Sequence, residues 1–356
     1  MTRDYSSFLS GSPAVAKPAV APIVALGWQA YFAQQTDVDE MANCPPVRVT
    51  QVHRNGLQVV GDGIDMLIPP GPEATVGDWL LLDRDLPSAS RVLQSKSLIK
   101  RRAAGHDRQM QPIAANLDTA FIVTSCNQDF NVARLERYLA LTLEARVDPV
   151  IVLTKPDLCD APQDYADRAA EISDLVPVVV LDARGDAAKT ALASWCKPGK
   201  TVAFLGSSGV GKSTLVNALS EIAGVETQAI REDDAKGRHT TTRRQLHFVP
   251  GGCAVLDTPG MRELQLADAA SGVADLFSDL HDLSQQCRFN DCAHETEPGC
   301  AVRAALDAGE IDNARLGRWQ KLMAEDRFNT ASMSERKSRD KALGKTIRQI
   351  KKDLQK

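Results

Sequence analysis

The chain has 356 residues, 43% hydrophobic and 25% charged, with a formal net charge of −4. That length accommodates two or three domains, each able to bury a core. No apolar run approaches the ~18 residues of a membrane span, and the N-terminus lacks the apolar stretch of a signal peptide, so a cytoplasmic protein without membrane contact is expected.

In chain order, residues 1–45 are rich in Ala, Pro and Ser, an extension with one short helix predicted around Trp28 to Gln35. Residues 46–95 carry short β-like runs, Val47 to Val52, Leu57 to Val60, Met66 to Ile68 and Val76 to Leu82, punctuated by Asn55-Gly56, Gly61, Gly63 and Pro69-Pro70-Gly71. Regularly spaced short strands suit a small barrel, here an OB-fold, with an SH3-like module as the alternative. Residues 96–112 form a basic connector with Lys96, Lys100, Arg101, Arg102 and Arg108 against Asp107, read as either a solvated linker or an RNA-facing loop.

From 113 to 272 the pattern changes to apolar strands alternating with helices. Strands are predicted at Thr119 to Thr124, Val150 to Leu153, Val178 to Leu181 and Thr201 to Leu205, and helices near Val132 to Arg146 and Gln163 to Leu175. This predicts an α/β domain with a mostly parallel sheet covered on both faces. Leu246 to Val249 and Ala254 to Leu256 read as a hairpin that delivers Asp257. Residues 273–333 hold a cysteine cluster, and 334–356 a basic amphipathic helix with Leu343, Ile347, Ile350 and Leu354 on one face. Glu335 to Lys356 hold nine Lys or Arg against three Asp or Glu, a +6 segment on a chain otherwise at −10. Such a segment suits an arm that contacts RNA phosphates.

Three motifs carry nucleotide chemistry. Gly206-Ser207-Ser208-Gly209-Val210-Gly211-Lys212-Ser213-Thr214 follows an apolar strand and opens a helix, the context a phosphate loop requires. Its glycines let backbone N–H groups wrap the β-phosphate, Lys212 reaches the β/γ oxygens, and the Ser213 hydroxyl ligates Mg²⁺. Thr154-Lys155-Pro156-Asp157 follows a buried strand; its carboxylate can accept from guanine N1–H and the exocyclic amine together, which adenine cannot offer. The Lys155 stem is expected along the base and Thr154 between the loops. The loop Asp182-Ala183 sits where a backbone N–H meets guanine O6, although Asp182 replaces the usual Ser.

Asp257-Thr-Pro-Gly260 supplies a carboxylate near Mg²⁺ and a Gly260 N–H for the γ-phosphate. The next residue is Met261, which cannot position water as a Gln would. Upstream, the polar stretch Thr227 to Gln245 reads as a mobile switch, with Thr241 as a Mg²⁺ ligand and His239 as the group that orients the attacking water. The base reader precedes the phosphate loop, so the motif order is circularly permuted, and the segment after Asp257 to Gly260 leads directly into the C-terminal region.

Cys287-x4-Cys292-x-His294-x5-Cys300 places three thiols and one imidazole within fourteen residues. Four soft ligands in a compact loop match a closed, structural Zn²⁺ site, with an iron–sulfur cluster as the alternative. Such a metal would stabilise a subdomain otherwise short of a core. The other cysteines, Cys44, Cys126, Cys159, Cys196 and Cys253, are scattered and read as small buried hydrophobes.

With permuted order, the Gly237-Arg-His-Thr-Thr-Thr242 switch, Asp257 to Gly260 and Cys287 to Cys300 together, the chain resembles the ribosome small-subunit-dependent GTPase A family of circularly permuted GTPases across about residues 46–325. The resemblance implies an N-terminal OB-fold, a permuted GTPase domain and a C-terminal zinc domain. It also implies GTP hydrolysis stimulated by the small ribosomal subunit, late maturation of that subunit, and contact with its rRNA. The family's nucleotide contacts carry over onto Thr154 to Asp157 and Gly206 to Thr214, and its zinc ligands onto Cys287, Cys292, His294 and Cys300. A monomer is expected. A P-loop ATPase or small-molecule kinase would have no use for Asp157, and an inactive zinc and RNA-binding module would bind GTP without turning it over.

Overall fold

The computed structural model of the chain describes residues 22–102, 110–220, 245–249, 252–257 and 266–330. The predicted switch with His239 and Thr241, the Gly260 position and the basic segment 334–356 lie outside these residues.

The helix α2 (Ala30–Ala33) falls within the one predicted around Trp28 to Gln35, and two further short helices, α1 (Pro22–Ala25) and α3 (Val38–Asn43), flank it. Trp28 and Phe32 pack on Trp79 with ring centroids 4.9 and 5.9 Å away, beside Leu81 and Leu93. Two aromatic anchors tie down a segment whose Ala- and Pro-rich composition reads as loosely held.

Strands β1 (Pro46–His53), β2 (Gly56–Gly61), β3 (Ile64–Ile68), β4 (Trp79–Leu81) and β5 (Arg91–Val92) pair antiparallel in the order β3-β2-β1-β4-β5. Period-two alternation sends Leu80 to a core with Val47, Val49, Leu57, Val59 and Ile68, and its neighbours Trp79 and Leu81 to the N-terminal helices. Pairing between β3 and β5, which would close a ring, is not found among the described residues.

The connector read as a linker or loop is instead largely a β-ladder. Strands β6 (Leu98–Arg102) and β7 (Met110–Ala115) pair antiparallel, with Ile99, Ile113 and Ala114 buried. Basic residues between these apolar ones mask a strand with one face in the core.

Next come β8 (Thr119–Ser125), α4 (Val132–Glu144), β9 (Asp148–Thr154), α5 (Pro162–Ala170), β10 (Val178–Val180), α6 (Asp186–Leu192), β11 (Thr201–Leu205) and α7 (Lys212–Ser220). The hairpin β12 (Gln245–Phe248) and β13 (Ala254–Asp257) completes this sheet. Its order is β10-β9-β8-β11-β13-β12, parallel except for β12. Ala120 and Ile122 face a core with Leu135, Leu139 and Ala166 from α4 and α5. Phe121 and Val123 face the opposite core with Leu192, Leu215 and Leu219 from α6 and α7. The chain moves outward from β8 to β9 and β10, then returns to β11 and proceeds toward β13. The C-terminal ends of β8 and β11 therefore flank a topological switch point, where open α/β sheets bind ligands. One register pair, Gln51 with Gln245, joins β12 to β1 and makes the two sheets continuous.

The C-terminal helices are α8 (Ala270–Leu276), α9 (Ser278–Gln285), α10 (Ala301–Asp307) and α11 (Asn313–Thr330). α8 runs across the boundary expected at 272/273, with the Gly272 N–H donating to Glu144 of α4 at 2.9 Å. Val302, Leu316, Trp319 and Leu322 join the same core as α4 and α5, and Arg318 donates to the fully buried Glu136 at 2.8 Å. The cysteine-bearing region thus shares the core of the α/β domain rather than lacking one. Among the described residues, no helix is long and apolar enough to cross a membrane.

Candidate nucleotide and metal sites

The phosphate loop leaves β11 at Gly206, whose φ of 141° and tight approach both require glycine: a Cβ there would lie 2.1 Å from the Val123 carbonyl oxygen. Val210 is buried and pins the loop, and α7 begins at Lys212, directly after it. Lys212 Nζ donates to the Gly206 carbonyl at 2.8 Å and to the Ser207 carbonyl. Ser208, Gly209 and Ser213 are exposed at the loop's rim, and Thr214 is half-buried behind them.

The loop that carries Thr154 to Asp157 is tied to this one. Thr154, fully buried, donates from Oγ1 to the Val210 carbonyl at 2.7 Å, with the Thr124 carbonyl 3.2 Å away. Lys155 adopts the left-handed region at φ 55° and donates from Nζ to the Gly209 carbonyl at 2.7 Å. A strained backbone at a ligand loop is held only where surrounding contacts over-determine it. Ala183 is buried, and a Cβ on Gly211 would sit 3.6 Å from its methyl group and 3.7 Å from Thr154 Oγ1, so all three loops converge there.

Pro156 starts a 3₁₀ turn that presents Asp157 to solvent. Its Oδ2 accepts from Arg184 Nη2 at 3.1 Å, and Arg184 also grips Asp182 through Nε and Nη2 at 2.8–3.1 Å. The Arg184 side chain and its backbone N–H hold the Asp182 carboxyl down at about 2. Arg184 is absent from the sequence-based site because no local pattern shows which carboxylate it meets. Arg134 was missed for the same reason: from α4 it donates through Nη1 to Asp129 Oδ1 at 2.7 Å and to Ser207 Oγ of the phosphate loop at 2.5 Å. β13 ends at Asp257, on the strand beside β11.

At the other site, the ligand atoms of Cys287, Cys292, His294 and Cys300 lie within 4.8 Å of one another. His294 Nδ1 is 3.6 Å from Cys287 Sγ and 3.4 Å from Cys300 Sγ, and the two sulfurs are 3.9 Å apart. Tetrahedral zinc bonds of about 2.3 Å to sulfur and about 2.0 Å to nitrogen place sulfurs ~3.8 Å apart and sulfur and nitrogen ~3.5 Å apart, so this donor set fits the ion. Glu297 braces the turn by accepting the N–H groups of Ala293, Glu295 and Thr296 at 2.8–3.0 Å, which hold its carboxyl down at about 2. The His294 ring packs on Trp319, 5.5 Å between centroids, and burial lowers its pKa.

The chain is similar to known proteins. The family profile described as RsgA GTPase matches residues 92–267. The Small ribosomal subunit biogenesis GTPase RsgA 2 of Vibrio parahaemolyticus is 46% identical over 94% of each chain. The Small ribosomal subunit biogenesis GTPase RsgA of Mesorhizobium japonicum is 48% identical over 87% of this chain and 91% of its own. The crystal structure of YjeQ from Thermotoga maritima superposes with a TM-score of 0.57 at 26% identity, covering 79% of this chain and 97% of that one. The structure of YloQ, titled a circularly permuted GTPase, shares the fold at the same TM-score and 23% identity, over 83% of this chain and all of its own.

Proposed function

This chain belongs to the RsgA GTPase family, and from that premise we propose how it acts: it is a GTP hydrolase of small ribosomal subunit biogenesis whose nucleotide lies across the ends of β9, β10 and β11. The observation that carries the reading is the pair of bonds from Thr154 to Val210 and from Lys155 to Gly209, which lock a carboxylate reader to a phosphate cradle. Asp157 accepts from guanine N1–H and the exocyclic amine, the Ala183 N–H meets O6, and Lys155 packs along the base. Gly206 to Thr214 wrap the phosphates and Lys212 leaves the loop carbonyls for the β/γ oxygens. Ser213, Thr241 and Asp257 would hold Mg²⁺, which neutralises phosphate charge when bound. The Gly260 N–H receives the γ-phosphate and His239 orients water for in-line attack, since Met261 has no group to do so.

Cys287, Cys292, His294 and Cys300 would hold one Zn²⁺, whose role is structural because all four positions are protein ligands. The five antiparallel strands from Pro46 to Val92 serve as an OB-type platform, partly open between β3 and β5. With the basic β6–β7 hairpin and the +6 segment 335–356, they face the rRNA of the small subunit. The protein acts as a cytoplasmic monomer exchanging GTP and GDP. Competition of GTP, ATP and xanthosine triphosphate for the bound nucleotide tests the reading: displacement by ATP as effective as by GTP would refute it.

A further inference from the structure

Two of the cations that touch the phosphate loop meet on one residue. Lys212 Nζ donates to the Ser207 carbonyl, and Arg134 Nη1 donates to the Ser207 hydroxyl at 2.5 Å. Lys212 belongs to the motif; Arg134 does not. It lies 73 residues earlier, in the first turn of α4, where its N–H is capped by Asn131 Oδ1 at 2.9 Å. α4 follows β8, and β8 is the parallel neighbour of β11, so Arg134 reaches across the switch-point crevice between these strands.

We propose that Arg134 is an internal arginine of the hydrolytic site, carrying charge on the γ-phosphate of bound GTP. This rests on the GTPase reading above. Asp129 Oδ1 holds the guanidinium at 2.7 Å, so it is already ordered beside the loop. Among the described residues its head group bonds through Nη1, and Nε and Nη2 make no bond. The side chain is 40% exposed, which leaves those donors open to a ligand.

Both cations bond to the loop's own oxygens. A phosphate oxygen is a stronger acceptor than a neutral carbonyl or hydroxyl, so the arriving anion draws both away. The base end is fixed over β9 and β10, and the polyphosphate therefore runs past β8 toward β11 and β13. The loop N–H groups and Lys212 enclose the β-phosphate. The terminal phosphate lies beyond them, and a planar guanidinium with several donors suits its spread charge. An arginine supplied from within the chain stabilises the transition state of phosphoryl transfer in this way.

The test compares full-length wild-type, Arg134→Gln and Arg134→Lys proteins by GTP hydrolysis, with and without small ribosomal subunits, and by the affinities of GDP and a non-hydrolysable GTP analogue. For Arg134→Gln the GDP affinity stays within about twofold, the analogue binds more weakly, and kcat falls at least about tenfold, with partial recovery in Arg134→Lys. Equal weakening of GDP and the analogue would make Arg134 a structural brace and overturn the proposal, as would an unchanged kcat. A wild-type chain that binds GTP but never hydrolyses it would refute the GTPase reading and this proposal together, whereas an active wild type with an equally active Arg134→Gln refutes this proposal alone.

Discussion

Asp157→Asn separates base recognition from folding. In the structure Asp157 makes one ion pair, to Arg184 at 3.1 Å, with both side chains about half exposed or more. Such a pair contributes ~0–1 kcal/mol, and Arg184 keeps its closer grip on Asp182 at 2.8 Å, so stability should change by less than about 1 kcal/mol. Guanine, by contrast, would lose its charge-assisted bonds to the carboxylate. That costs about 2–3 kcal/mol, or on the order of 30–150-fold in GDP affinity. The amide offers one donor and one acceptor, which suits xanthine, whose second carbonyl replaces the exocyclic amine. Fluorescent GDP titration with competing GDP, xanthosine diphosphate and ADP, alongside thermal melting, measures both effects. Unchanged GDP affinity, or a loss without improved xanthosine binding, would refute the assignment of Asp157 as the base reader.

Four further substitutions test other parts of the account. Lys212→Ala should abolish hydrolysis, while His239→Ala should keep nucleotide binding and lose mainly the subunit-stimulated rate; a fully stimulated His239→Ala protein would place water activation elsewhere. Metal analysis should find one zinc per chain, and Cys292→Ser should lose it. Because Cys300, Val302 and Trp319 share the α4 core, that variant should melt at lower temperature yet still bind GDP; iron with visible absorbance would contradict a zinc site. Arg48, fully buried, donates to the carbonyls of Leu26, Gly77 and Asn116 and to Thr201 Oγ1, joining the N-terminal helices, the first sheet and β11. Arg48→Met should cost about 3–5 kcal/mol in urea unfolding, and a loss below about 1 kcal/mol would show that the joint does not depend on it.

The parallel strands were legible because both faces are buried, which turns Thr119 to Thr124 and Val150 to Leu153 into unbroken apolar runs. The glycine-rich loop after β11 and the cluster of three cysteines and one histidine were legible because each is a local spacing with a chemical reason. What escaped is tertiary. Arg134 meets Ser207 and Arg184 meets Asp157 through contacts that no periodicity encodes. The β6–β7 pair was hidden by the basic residues interleaved with Ile99 and Ile113. Residues 22–43 gave too little pattern to reveal that Trp28 and Phe32 would dock on Trp79. The sequence spacing brings Cys287, Cys292, His294 and Cys300 together, but it does not show that α10 and α11 borrow the core of the α/β domain, because the pairing of Arg318 with Glu136 spans 182 residues.

The central claim is a GTPase whose turnover answers to the small ribosomal subunit. The direct measurement is phosphate release from GTP by the full chain alone, with purified small subunits and with large subunits. The account predicts slow release by the chain alone and faster release with small subunits only. Release that no subunit changes, or that large subunits accelerate equally, would contradict it.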